Sequence, residues 1–364
     1  METKRQHHKN MIKSACHVIS VNLLMGLFAL TGASQTETQS ASKLESKTPT
    51  VAQAQALVSV GKIDDALGML RVLAKSSPND TTINYLLGLA YYQKNDHLRA
   101  IEHLSMAVKQ LPAGSPHYQQ GVQMLGLSHY LLGHFKEAIP YLELVGHWSP
   151  DSVETAYVLG LSYNQTHTPD KAREAFARMF RLPPASASAY LINAQMLMRQ
   201  QFEDLAEKEL QKALELDPKL PQVNFLLGEI AIFHADIDRG IKLLQTEIAI
   251  NPAYGMAYYR LGEAYTRQLK WDEAVAPLQK SIWLNPYFSG PFIVLGKVHL
   301  KKGDLFNAEA VLRRALTMDP NNFSGHQLLA EVLRQANRLE EAKKEFEIAD
   351  RLRTSSDKNQ YEQP

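Results

Sequence analysis

Thirteen histidines and 38 acidic residues in a chain of 364 could supply metal ligands or acid–base groups, provided their spacing brings them together. It does not. His97 and His103 are six apart and His129 and His134 five apart, so neither pair shares a helical face in the i, i+4 manner that two ligands on one helix require. The motifs G-x-x-x-x-G-K-[ST], G-x-S-x-G and H-E-x-x-H are all missing from the sequence. Phosphate-loop, serine-hydrolase and zinc-protease chemistry therefore lack their starting residues. Asp64-Asp65, Glu340-Glu341 and Lys301-Lys302 are charge clusters of the kind a solvated helix surface carries. The sequence points to no catalytic residue, no metal and no cofactor, and hence to a protein that is not an enzyme.

What the sequence does contain is a repeat. Pro112, Pro150, Pro184, Pro218, Pro252, Pro286 and Pro320 punctuate it, and every interval after Pro150 is 34 residues. A period of that length belongs to stacked supersecondary units. Leu87-Gly88, Leu159-Gly160, Leu227-Gly228, Leu261-Gly262 and Leu295-Gly296 recur in phase. Twelve residues after each glycine position comes a small residue, Ala100, Ala138, Ala172, Ala206, Gly240, Ala274, Ala308 or Ala342. Four further on stands a large one, Leu104, Leu142, Phe176, Leu210, Leu244, Leu278, Leu312 or Phe346. Small residues fall where helices approach closely and large ones fill the space beside them.

Each unit thus reads as two antiparallel amphipathic helices. Gly61, Gly133 and Gly303 mark the turn within a unit, and Asp217-Pro218, Asn251-Pro252, Asn285-Pro286 and Asp319-Pro320 mark the turn between units. Ser115 to Tyr118 stretch the interval from Pro112 to Pro150 to 38 residues, which calls for a longer loop or an extra first turn of helix. His129 and His299 take a packing position of the repeat and read as structural.

This pattern resembles the tetratricopeptide repeat (TPR) family from about Lys47 to Arg353. The family's Leu-Gly-x-x-Tyr signature stands at Leu87-Gly88-Leu89-Ala90-Tyr91, Leu159-Gly160-Leu161-Ser162-Tyr163 and Leu261-Gly262-Glu263-Ala264-Tyr265. The fold class is therefore all-α, a TPR α-α superhelical solenoid of about nine helix-turn-helix repeats.

The resemblance further implies that the first helices line a concave groove that receives a protein or peptide partner. Its groove positions carry over to Tyr85, Leu89 and Tyr92, to Tyr130, and to Tyr157, Leu161 and Asn164, an aromatic and apolar end. Towards the carboxyl terminus they fall on Arg199, Glu229, Glu263, Arg267, Lys297, Lys301, Glu331 and Arg334, a ladder of mixed charge. The Lys/Asn/Arg carboxylate clamp of some TPR domains finds Tyr, Leu and Gln instead, which argues against a cochaperone role.

Residues 1–33 read differently. Lys4, Arg5, Lys9 and Lys13 precede an apolar run from Val18 to Leu30, and Thr31-Gly32-Ala33 follow. That order is a signal peptide. If uncleaved, residues 15–33 would instead tether the chain to a membrane as a signal anchor, although Cys16, His17 and Asn22 disfavour a span. Residues 34–46 read as a flexible linker, 47–353 as the repeat array and 354–364 as a disordered tail.

Cys16 is the one cysteine, so a chain cleaved near Ala33 has no thiol. Losing four basic residues and Glu2 takes the formal charge from +1 to −2, which speaks against nucleic acid. The sequence leads to a periplasmic or secreted, non-catalytic scaffold in cell-envelope assembly or secretion. The alternative is a regulatory or substrate-binding subunit of an enzyme complex such as a glycosyltransferase or polysaccharide-export system.

Overall fold

The computed structural model describes residues 49–361, with side chains described through 354. Among the described residues there are 18 helices and no strand, arranged as nine consecutive pairs. The chain divides into two compact units, with the boundary after Ala206.

The first unit contains α1 (Val51–Ser59), α2 (Ile63–Ser76), α3 (Thr81–Gln93), α4 (His97–Val108), α5 (Pro116–Leu131), α6 (Phe135–Trp148), α7 (Val153–Gln165), α8 (Pro169–Met179) and α9 (Ala187–Arg199). The boundary falls inside α10 (Glu203–Leu216). The second unit continues with α11 (Val223–Phe233), α12 (Ile237–Ile250), α13 (Gly255–Arg267), α14 (Trp271–Leu284), α15 (Ser289–Lys301), α16 (Leu305–Met318), α17 (Phe323–Gln335) and α18 (Leu339–Tyr361).

Local signals start these helices. Thr50 and Gln53 form a reciprocal capping box on α1, and Asp80, Ser115, Ser152, Ser186 and Asn322 each accept a backbone N–H at the start of a first helix. Pro116 sits in the first turn of α5, and that helix carries the four-residue excess as an extra first turn rather than a longer loop. At the far end, Asn251, Asn285 and Asp319 cap α12, α14 and α16, each just ahead of its proline.

Every first helix ends the same way. Inside the nine pairs Gly61, Asn95, Gly133, His167, Gln201, Ala235, Leu269, Gly303 and Asn337, one per repeat, have φ between +56° and +77°. In each case the next amide donates to a carbonyl five residues back, as Asp96 N to Tyr91 O at 2.9 Å and Lys270 N to Tyr265 O at 3.0 Å. This left-handed closing turn satisfies carbonyls that the helix end would otherwise leave bare.

The pairs are held by the small–large pattern read from the sequence. Ala100, Ala138, Ala172, Ala274 and Ala308 are wholly buried, as are Leu104, Phe176, Leu244, Leu278 and Leu312. Gly160 leaves room for the Phe176 ring: a Cβ there would lie 2.6 Å from its Cε1 and Cζ. Gly88, Gly262 and Gly296 do the same for Leu104, Leu278 and Leu312.

The last helix, α18, continues past Thr354, where the tail was expected to start. No glycine or proline interrupts residues 354–363, so nothing in the sequence stops it. Residues 1–46, read as signal segment and linker, lie outside the described residues. Among the described residues no helix is long and apolar enough to cross a membrane.

Candidate functional site

The aromatic positions of the proposed groove are mostly interior. Tyr85 is 5% exposed, and its hydroxyl donates to Gln120 on the next first helix. Its ring meets His117 edge-on at 4.8 Å. Burial pushes its phenol up to about 12. Tyr130, Leu161 and Asn164 are also buried, while Leu89, Tyr92 and Tyr157 are half-buried and packed against the core clusters. Four of the seven side chains are therefore interior, and the other three are partly covered by packing. A first helix in a stack is covered by its own second helix and by adjacent first helices. Most of its circumference is therefore apolar, and a tyrosine stripe there packs against the next repeat.

His129 and His299 both contact side chains of their own repeat. His129 stacks on Tyr141 with centroids 5.8 Å apart, and burial lowers its pKa. His299 Nδ1 lies 3.2 Å from Asp304 Oδ2, at the start of α16. Among the described residues no three metal-ligating side chains cluster.

The charged positions behave differently. In the second unit a pocket of about 250 Å³ opens between α11 and α13, lined by Glu229, Ile232, Phe233, Arg260, Glu263, Ala264 and Arg267. Its polar wall is one connected group. Arg260 Nε lies 2.9 Å from Glu229 Oε1, a charge contact rather than an aligned hydrogen bond. Arg260 Nη1 donates to Glu263 Oε2 at 2.7 Å, and the Tyr259 hydroxyl donates to Glu263 Oε1 at 2.9 Å. Burial raises the Glu229 carboxyl above its usual range against the pull of Arg260. Burial opposes the charge on Arg260, but Glu263 and Glu229 together hold its guanidinium above the usual value. Burial and the Glu263 carboxylate also push the Tyr259 phenol up.

Two expected rungs of the charge ladder, Glu229 and Glu263, are therefore tied up by Arg260, which sequence reasoning had not singled out. Glu331 and Arg334 likewise neutralise each other at 2.8 Å. Arg267, Lys297 and Lys301 remain exposed, and among the described residues none of the three makes an ion pair within 4 Å. Arg199, in the first unit, is also exposed.

Phe233 is the other omission. It is 69% exposed at the mouth of the pocket, one period before Arg267 and one after Arg199. The 34-residue register that marked those two arginines contained the signal for Phe233 as well. Ile232 and Ala264 form the apolar floor.

Family models match the repeat. The tetratricopeptide repeat model TPR_16 matches residues 51–115, 124–179, 157–221 and 225–286, and a second tetratricopeptide repeat model, TPR_19, matches residues 299–354. No curated protein matches the chain. Similar solved structures include MamA, residue 41 to its end, from Desulfovibrio magneticus RS-1. It is 19% identical over 47% of this chain and 97% of that one, with a TM-score of 0.44. YrrB, described as a TPR protein with an unusual peptide-binding site, is 18% identical over 50% of this chain and 93% of its own, also at 0.44. A tetratricopeptide repeat protein from Parabacteroides merdae is 18% identical over 68% and 96%, with a TM-score of 0.38.

Proposed function

Since the chain belongs to the tetratricopeptide repeat family, we propose that it is a non-catalytic scaffold whose second unit receives a protein partner on the face made by its first helices. The observation that carries this reading is the pocket between α11 and α13. It joins an apolar floor and an exposed phenylalanine to a cation with no ion-pair partner, the combination a recognition surface needs.

The compartment belongs to the same proposal. The basic, apolar and small-residue order of residues 1–33 supports export, and the scaffold then serves cell-envelope assembly or secretion.

Site-specific photocrosslinking in the source cells tests the binding face. A crosslinker at Lys297 or Arg267 should trap a discrete partner, while one at the exposed Glu273 on second helix α14 should not. Equal trapping from both faces would remove the assignment. Cell fractionation with amino-terminal sequencing tests export, which requires an extracytoplasmic chain; a chain confined to the cytoplasm would refute it. A start near residue 34 would mark a cleaved signal, and an intact amino terminus in the membrane fraction the tethered form.

A further inference from the structure

Phe233, Arg267 and Lys301 occupy one register position in three successive repeats, each 34 residues after the last. They close the first helices α11, α13 and α15, which stack in contact within the second unit. All three side chains are exposed, and Phe233 and Arg267 line the same pocket. Lys297 lies one helical turn before Lys301 and shares its face. Glu229 and Glu263 share Arg260 and leave that group one net negative charge, and Glu331, near Lys301, is paired with Arg334, so the cations Arg267, Lys297 and Lys301 outnumber the remaining negative charge.

We infer that this row is a docking line for an extended acidic segment of a partner protein, with one apolar side chain seated against Phe233 and carboxylates reaching Arg267 and Lys301. The inference rests on the binding reading above and narrows it to a ligand chemistry. Packed helices stand about 8–10 Å apart, and an extended chain advances about 3.3 Å per residue. One repeat therefore corresponds to about three residues of ligand. The motif that fits is an apolar residue followed by acidic residues three and six positions away.

The charge pattern selects against the reverse sign. A basic segment would set its cations beside Arg267, Lys297 and Lys301, and only the one net negative charge left on the Arg260 group would offset that repulsion. The apolar anchor supplies area, and the cations supply register and encounter rate.

Fluorescence anisotropy on the full chain tests it with three labelled Gly-Ser peptides, made in both chain directions. One carries leucine with acids three and six positions on, one has lysines in place of the acids, and one has alanines. The acidic peptide should bind about tenfold or more tightly than the lysine peptide and weaken as salt rises. Arg267→Glu with Lys301→Glu should cost it about tenfold or more while circular dichroism and melting temperature stay unchanged. Equal affinity for the three peptides, no binding of any, or indifference to the double reversal would each overturn the inference. If the alanine peptide binds equally well and Phe233→Ser abolishes that binding, the acidic ligand is wrong and the binding face stands. If no peptide binds and the first-helix crosslinker traps nothing, both fall.

Discussion

Arg260 on α13 reaches back across one repeat to set its Nε 2.9 Å from Glu229 Oε1 on α11, and it donates to Glu263 on its own helix. One cation thus serves two carboxylates, a half-buried arrangement that loses more when its centre is removed than an open surface pair would.

Replacing that centre, Arg260→Gln, should destabilise the second unit by about 1–2 kcal/mol at pH 7. The loss should shrink towards pH 4, because burial already raises the Glu229 carboxyl and a protonated Glu229 no longer repels Glu263. Denaturant unfolding at the two pH values, read by hydrogen exchange in α11 and α13, checks this. A loss that did not depend on pH would mean packing, not charge, is what Arg260 supplies.

Leu269 adopts φ of +60° at the turn after α13 and is mostly exposed, so its side chain strains the backbone without burying much surface. Leu269→Gly should raise stability by about 1 kcal/mol, the left-handed penalty less glycine's extra entropy. A matched Gly303→Leu should lower it, since Gly303 holds the same turn at +76°. Thermal melts of both variants should move in opposite directions, and parallel shifts would disprove the account.

Gly160→Ala should cost about 1–2 kcal/mol. The new methyl meets the Phe176 ring, buried and unable to swing aside, and the overpacking outweighs alanine's better helix propensity. The double variant Gly160→Ala, Phe176→Leu should recover part of the loss. The ring contact is refuted if the second change adds to the damage.

His97, His103 and His129 in the first unit all have pKa values lowered from 6.5 by burial. The unfolded chain therefore takes up protons on acidification before the folded one does. Stability from these residues is complete above the unfolded pKa, near 6.5, and is lost as pH falls through the lower folded values. Glu309, Glu331 and Glu341, lowered by their arginine partners, act only further down, below their unfolded value of 4.5. Melting temperatures should thus fall in two steps. Gln in place of the three histidines should flatten the upper step and leave the lower one intact.

The fold was legible because packing residues recur in phase. Ala100 with Leu104 and Ala308 with Leu312 sit where the period puts them, and Asn285-Pro286 ends α14 as expected. The closing turns were legible only at Gly61, Gly133 and Gly303. Asn95 and Asn337 are natural occupants of the same conformation, but His167, Gln201, Ala235 and Leu269 give no local hint. Packing of the two helices on either side imposes the turn on whatever residue falls there.

The site was less legible for a related reason. Periodicity shows which residues share a helix face and not whether the face meets another repeat or solvent, so Tyr85, Tyr130 and Asn164 looked like ligand contacts although they are interior. Arg260 lay off the chosen register, and only coordinates show that it consumes Glu229 and Glu263. Phe233 lay on the register, and a rule that followed position rather than charge would have found it.

The nine closing turns also govern how the chain acquires its structure. Each is sealed by a backbone bond spanning five residues, and the glycine and its large partner lie sixteen residues apart, as Gly262 and Leu278 do. Contacts so short in sequence cost little loop entropy to close. Hairpins can therefore form one after another as the polypeptide lengthens, each new pair finding a finished edge to settle on, and the order of folding can follow the order of synthesis.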